Sequence, residues 1–210
     1  MKILLDKTGQ KTIELIGASF IADEASIFGK VNHEYVKSEI EWYKSMSTNI
    51  IDIYGQYQDP PQAWKLSANK HGEINSNYGL LCYSPKYHNQ LSNALSELIR
   101  NKDTRRATII YNRPSIWAEY NENDKNDFIC TNAVTYYIRN DKIYCVVQMR
   151  SNDVIFGYKN DFAWQQFMHR EVVNLYNESL DSDEDELGTG LMYWQVQNLH
   201  VYERHFHLVK

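Results

Sequence analysis

Apolar and polar positions alternate along several stretches of this chain and recur at helical spacing in others. After a polar opening turn, residues 12–22 form an apolar stretch with strand character. Across 33–44, Tyr35, Val36, Glu39, Ile40 and Tyr43 fall close to one face of a predicted helix. Asp59-Pro60-Pro61 break the chain, and 62–70 reads as a short helix carrying Trp64. The Gly- and Asn-rich stretch 71–79 is too polar for core and is expected as a loop. Across 87–100, Leu91, Ala94, Leu95, Leu98 and Ile99 make the stripe of an amphipathic core helix. Strands are expected at 107–111 and 128–138, with a polar loop at 121–127 between them. Ile143, Cys145 and Val147 alternate with Tyr144, Val146 and Gln148, so another strand ends in the polar run M-R-S-N-D. A helix resumes after Asp161 with Phe162 and Phe167, and a last strand covers 191–199.

Composition adds boundaries. The 210 residues suit one domain, 1–210, large enough to bury a substantial core, and no repeat or low-complexity tract divides them. A formal net charge of -5 argues against a duplex-binding surface, which normally carries a basic excess, so no direct nucleic-acid binding is expected. The three cysteines are odd in number and fit no metal-ligand spacing. With no signal peptide and no apolar run near membrane-spanning length, the chain is expected to be cytoplasmic, with reduced thiols and no membrane contact. The acidic run 181–186 fails as a calcium loop, because Glu186 and Met192 stand where glycine and glutamate are needed. His200, His205 and His207 lack carboxylates or cysteines at ligand spacing, so no metal is expected.

The candidate chemistry lies where strands run out. Arg150 and Ser151 offer a charged fork and a hydroxyl to a phosphate, or are simply a charged strand end in a polar turn. Lys7 is a solvated turn lysine or an anion contact. Arg105 and Arg106 point to opposite faces of an extended strand, as solvated edge charges or, if the strand bends, as one grip. Glu39 is either an exposed helix acid, which base rates favour, or a buried one that needs a partner. Cys145 sits mid-strand among apolar residues, whereas Cys130 stands at a strand entry near arginines and is the better candidate nucleophile.

Together these pieces resemble the thymidylate synthase superfamily over most of the chain. D-K-T-G at 6–9 is similar to the family's phosphate loop, with Lys7 for arginine. E-I-E-W-Y at 39–43 puts Glu39 at the catalytic glutamate, and Tyr78-Gly79 matches a family tyrosine-glycine. Arg105-Arg106 match the arginine pair that reaches across the dimer, and Cys130 falls on the nucleophile. M-R-S-N-D at 149–153 matches Q-R-S-x-D, and H-V-Y at 200–202 matches the sugar-holding H-x-Y. The resemblance implies an α+β fold, a mixed twisted β-sheet packed with helices, in a homodimer formed through the sheet. It implies substrate contacts from Lys7, Arg105, Arg106, Arg150, Ser151, Asn152, Asp161, His200 and Tyr202, and cofactor contacts from Asp153, Tyr78 and Trp64.

Two departures refine the resemblance. The proline and histidine that flank a synthase's cysteine are here Ile129 and Thr131. The eleventh residue after Arg150 is Asp161, where a synthase carries the asparagine that reads uracil. With I-G-A-S-F and N-D-F-A-W-Q, these features resemble the phage-type deoxycytidylate hydroxymethylases. Cytosine presents an N3 acceptor and an N4 donor, which a carboxyl sharing one proton can match. The implied reaction has Cys130 add to C6 of dCMP, so that C5 takes the one-carbon unit of 5,10-methylenetetrahydrofolate. Water then adds to give 5-hydroxymethyl-dCMP, with Cys130, Glu39 and Asp161 as catalytic groups. A dUMP-directed synthase or hydroxymethylase is the nearest rival. A non-catalytic nucleotide-binding relative is the other, since the chain has little before D-K-T-G or after H-V-Y to match the segments that relatives carry there.

Overall fold

The alternation at 143–148 builds the middle of a sheet. β4 (Thr131–Arg139) and β5 (Lys142–Met149) pair as a hairpin, and its turn residues Asn140 and Asp141 have φ of 49° and 56°. Two successive left-handed residues match the twist of the flanking strands. The computed structural model describes residues 3–5, 9–55 and 57–209, which leaves Lys7 and the rest of 6–8 outside the described residues. Around the hairpin stand β1 (Ile3–Leu5), β2 (Lys11–Ile21), β3 (Thr108–Ile110), β6 (Asn152–Asp153) and β7 (Gly188–Tyr202). Their order is β1-β2-β7-β5-β4-β3, with β6 beside β7. Pairing is antiparallel except where β7 runs parallel to β5 and β6.

Among the described residues six α-helices accompany the sheet: α1 (His33–Ser45), α2 (Gln62–Ser67), α3 (Tyr78–Tyr83), α4 (Gln90–Arg100), α5 (Ile116–Glu119) and α6 (Gly157–Glu178). The sheet's inner face carries Val134, Tyr136, Cys145, Val147, Met192 and Trp194, all buried. Against it α6 turns Tyr158, Phe162, Met168, Val172 and Tyr176, also buried. The alternate residues Tyr137, Tyr144, Val146, Tyr193 and Gln195 remain half-buried or exposed on the opposite face.

The two periodicities predict most elements, and the differences have local causes. The helix expected at 87–100 starts at Gln90, because His88 and Asn89 adopt left-handed backbone, φ 67° and 46°. The strand expected from 128 starts at Thr131, so Cys130 sits in the bend just before it. The helix expected after Asp161 starts at Gly157 and so includes Asp161. The largest correction concerns 71–79: Ile74, Ser76, Asn77, Tyr78 and Gly79 are buried. Burial is tolerated because the polar side chains are satisfied internally, as when Asn77 Nδ2 donates to Trp42 O at 3.1 Å and Ser47 O at 2.7 Å. Gly79 is required here, since a Cβ would lie 1.8 Å from Tyr43 O.

Candidate active site

Three structural edges meet around Cys130. Its carbonyl accepts from Arg150 N at 2.9 Å, and a register shift between Thr131 and Ala133 kinks β4 just beyond it. Bulges of this kind re-aim side chains beside active sites. The Arg150 guanidinium donates through Nε to Ile129 O at 2.9 Å and through Nη2 to Phe128 O, and it stacks over the Phe128 ring. The same Nη2 is 3.5 Å from Cys130 Sγ. Arg150 thus holds the backbone leading into Cys130 and puts positive charge beside its sulfur. Ser151, half-buried, follows Arg150, and Asn152 is buried on β6.

The opposite wall is acidic. Asp161 Oδ2 accepts from Asn152 Nδ2 at 2.7 Å. Gly157 leaves room for that bond, since a Cβ there would meet Asn152 Nδ2 at 3.2 Å. Burial, then the nearby Glu39 carboxyl, pushes the Asp161 carboxyl well above the usual carboxylate range. Glu39 is only 4% exposed, so the exposed alternative that base rates favoured is corrected. Its Oε1 accepts from the Tyr35 hydroxyl and from Trp64 Nε1 at 3.1 Å, while Trp64 Nε1 also reaches Tyr35 OH at 2.9 Å. Desolvation outweighs those two donors and raises Glu39 to about 7.

Tyr78, expected among the cofactor contacts, is buried in an aromatic cluster with Tyr43 and Tyr111. Its hydroxyl accepts from Thr131 Oγ1 at 3.0 Å and lies against the Asp161 carboxyl. It ties the cysteine edge to the acid wall. Trp64 is half-buried, edge-on to Trp42 at 5.1 Å. Asp153 accepts from the amides of Ile155 and Phe156 at 3.2 and 3.0 Å, capping the turn into α6 beside Asp161. A carboxylate has lone pairs beyond those two, so Asp153 can also take a ligand donor. Trp64 and Asp153 both border the Glu39–Asp161 wall.

His200 and Tyr202 stand on β7, with His200 paired to Asp153 across the strands and its ring 5.2 Å from that of Tyr202. Arg105 and Arg106 are exposed away from this cluster, and Arg106 Nε pairs with Glu97 Oε1 at 3.0 Å. Among the described residues, no group of three or more His, Cys, Asp or Glu converges as a metal site.

Two residues escaped the sequence reading. Asp127, assigned to a polar loop, is 6% exposed and accepts from the amides of Asn75 at 2.6 Å and Ser76 at 2.8 Å, three residues ahead of Cys130. Tyr35, counted as part of an apolar helix face, lies one turn before Glu39, a spacing that by itself puts the two in contact.

A family profile described as Thymidylate synthase matches residues 4–210. The deoxycytidylate 5-hydroxymethyltransferase of Enterobacteria phage T4 is 48% identical over 206 residues, 98% of this chain and 82% of the relative. A deoxyuridylate hydroxymethyltransferase of Delftia phage PhiW-14 is 28% identical, over 83% of this chain and 47% of its own length. The thymidylate synthase of Buchnera aphidicola subsp. Acyrthosiphon pisum (strain Tuc7) is 23% identical, over 98% of this chain and 75% of its own.

Proposed function

This chain belongs to the thymidylate synthase family, and from that premise we propose that it is a deoxycytidylate 5-hydroxymethyltransferase. The proposed reaction converts dCMP, 5,10-methylenetetrahydrofolate and water to 5-hydroxymethyl-dCMP and tetrahydrofolate. The co-substrate supplies the one-carbon unit at the oxidation level of formaldehyde.

In this reading the Cys130 thiolate forms an S–C6 bond to the pyrimidine, which makes C5 nucleophilic. Arg150 beside the sulfur supports the thiolate, and Arg150, Ser151 and Lys7 serve the phosphate. Asp161 faces N3 and N4 of cytosine, donating with its proton and accepting without it, while Asn152 fixes its orientation. Glu39 moves protons at C5 and activates the water that adds to the exocyclic carbon, a task suited to a carboxyl raised to about 7. The S–C6 bond then breaks and returns the thiolate. Trp64 and Asp153 serve the folate, and His200 and Tyr202 the sugar.

Arg105 and Arg106 act on the partner's nucleotide in a homodimer joined through the sheet. Their exposure away from the cluster favours that role, as does the partly apolar outer face of the sheet. Among the described residues, no helix is long and apolar enough to cross a membrane.

The observation that carries the cytosine reading is the half-buried Asp161 carboxyl, held by Asn152 and kept protonated more readily than usual by desolvation. The test is tritium release from 5-tritiated dCMP and dUMP with the folate present. Release from dCMP, abolished in Cys130→Ala, is expected; release mainly from dUMP would overturn the base assignment.

A further inference from the structure

Glu39 shows an asymmetry between its two oxygens. Oε1 takes both hydrogen bonds that the described residues make to this side chain, from the Tyr35 hydroxyl and from Trp64 Nε1. Oε2 takes none. Trp64 Nε1 also donates to the Tyr35 oxygen at 2.9 Å, so the three groups close a triangle with Tyr35 as both acceptor and donor. Tyr35 is itself held, by its ring against Tyr54 at 6.3 Å and by the Asn32 side chain that caps its backbone amide at 3.1 Å.

We propose that Tyr35 is a positioning residue for Glu39: its hydroxyl locks one carboxylate oxygen as a permanent acceptor and leaves Oε2 to exchange the proton with water. The proposal deepens the reading of Glu39 as the proton-transfer group and rests on it. The chemistry follows from the geometry. A carboxylate free to rotate would offer either oxygen, in either orientation, to an attacking water. One whose Oε1 is pinned by two donors offers a single oxygen in a fixed direction, which is the preorganisation that proton transfer needs. Hydrogen bonds to the charged carboxylate also favour the ionised form, opposing the desolvation that raises it. The other titratable groups that face Glu39 are Tyr43 on the same helix, Tyr54 on the turn after it and Asp161 on α6.

The test is the pH dependence of 5-hydroxymethyl-dCMP formation in the native protein, Tyr35→Phe and Glu39→Gln. A base must be ionised to work, so the acidic limb of the profile reports Glu39. Tyr35→Phe removes a donor to the ionised form, so that limb is expected to move to higher pH by about one unit, the size a charge-assisted hydrogen bond supports. Below the limb this reads as about a tenfold loss. Above it the rate recovers to within a few-fold of native.

The second variant carries 3-fluorotyrosine at position 35, which keeps the shape and is the stronger donor. Its limb is expected to move the opposite way, and it serves alone if Tyr35→Phe does not fold. Opposite displacements are not what a merely space-filling ring gives. A limb that stays in place in both variants would overturn the role of Tyr35 while leaving Glu39 intact. Full product formation by Glu39→Gln would overturn the reading of Glu39 beneath it.

Discussion

Glu39 and Asp161 are neighbouring acids, the first buried and the second half-buried, and the Glu39 carboxyl adds to the desolvation that raises Asp161. Raising Glu39 from 4.5 to about 7 has a cost in stability. Between those values the folded chain keeps a proton that the unfolded chain has released, so stability falls as pH rises through the window. At about 1.4 kcal/mol per pH unit, that is roughly 3 kcal/mol. Glu39→Gln is therefore expected to be more stable than the native protein in neutral denaturant melts by up to roughly 3 kcal/mol, with the advantage vanishing toward acid pH. In the proposed function Asp161 sets base specificity. Asp161→Asn removes the shared-proton match to cytosine, and turnover of dCMP should fall about a hundredfold, equivalent to about 3 kcal/mol. Parallel assays on dCMP and dUMP check it; an unchanged dCMP rate would contradict the role. At this scale the sequence was only partly legible. The identity of Cys130, Glu39 and Asp161 as candidates came from motifs, but the burial of Glu39 came from neither spacing nor composition. It arises from Trp64, distant in sequence and brought to α1 by the fold.

Between residues and molecule, the informative element is the strand entry that carries Cys130. Asp127 clips it to the loop before α3 through the amides of Asn75 and Ser76, and Asn75 Nδ2 returns a bond to Asp127 O at 3.1 Å. Asn77 then caps α3 by accepting from Leu80 N at 2.8 Å, and Tyr78 on that helix reaches back to Thr131. Asp127→Ala leaves the amides of half-buried Asn75 and buried Ser76 without their acceptor, a loss of about 2–4 kcal/mol. Thermal melts should show that drop, and hydrogen exchange should rise at 75–79 and 128–131 together. Independent change in the two segments would contradict the clip. Such cross-links explain why periodicity was right about the strands and helices but wrong about 71–79. A polar stretch that satisfies its own groups has the same composition as one that leaves them to water. Only the partners, Asp127 and the carbonyls of Trp42 and Ser47, distinguish the two.

Across the whole molecule, the helices cover one face of the sheet, and the other presents Tyr137, Tyr144, Val146 and Tyr193. That face fits the homodimer of the proposed function. Tyr193→Arg is expected to convert a dimer to a monomer in sedimentation and to lose activity with it, since Arg105 and Arg106 would no longer reach a partner. The strand order has a further consequence, one that unfolds in time. β7 lies between β2 and β5, pairing Ile13 with Val201 and Val147 with Trp194. As the chain leaves the ribosome, β2 emerges well before its inner neighbour, because β4, β5 and α6 are made between them. The two halves of the sheet stay apart until residues 188–202 arrive, and contacts between such distant segments form slowly. A nascent chain stalled before Gly188 should remain open to protease across β2, whereas release of β7 should close both halves in a single late step.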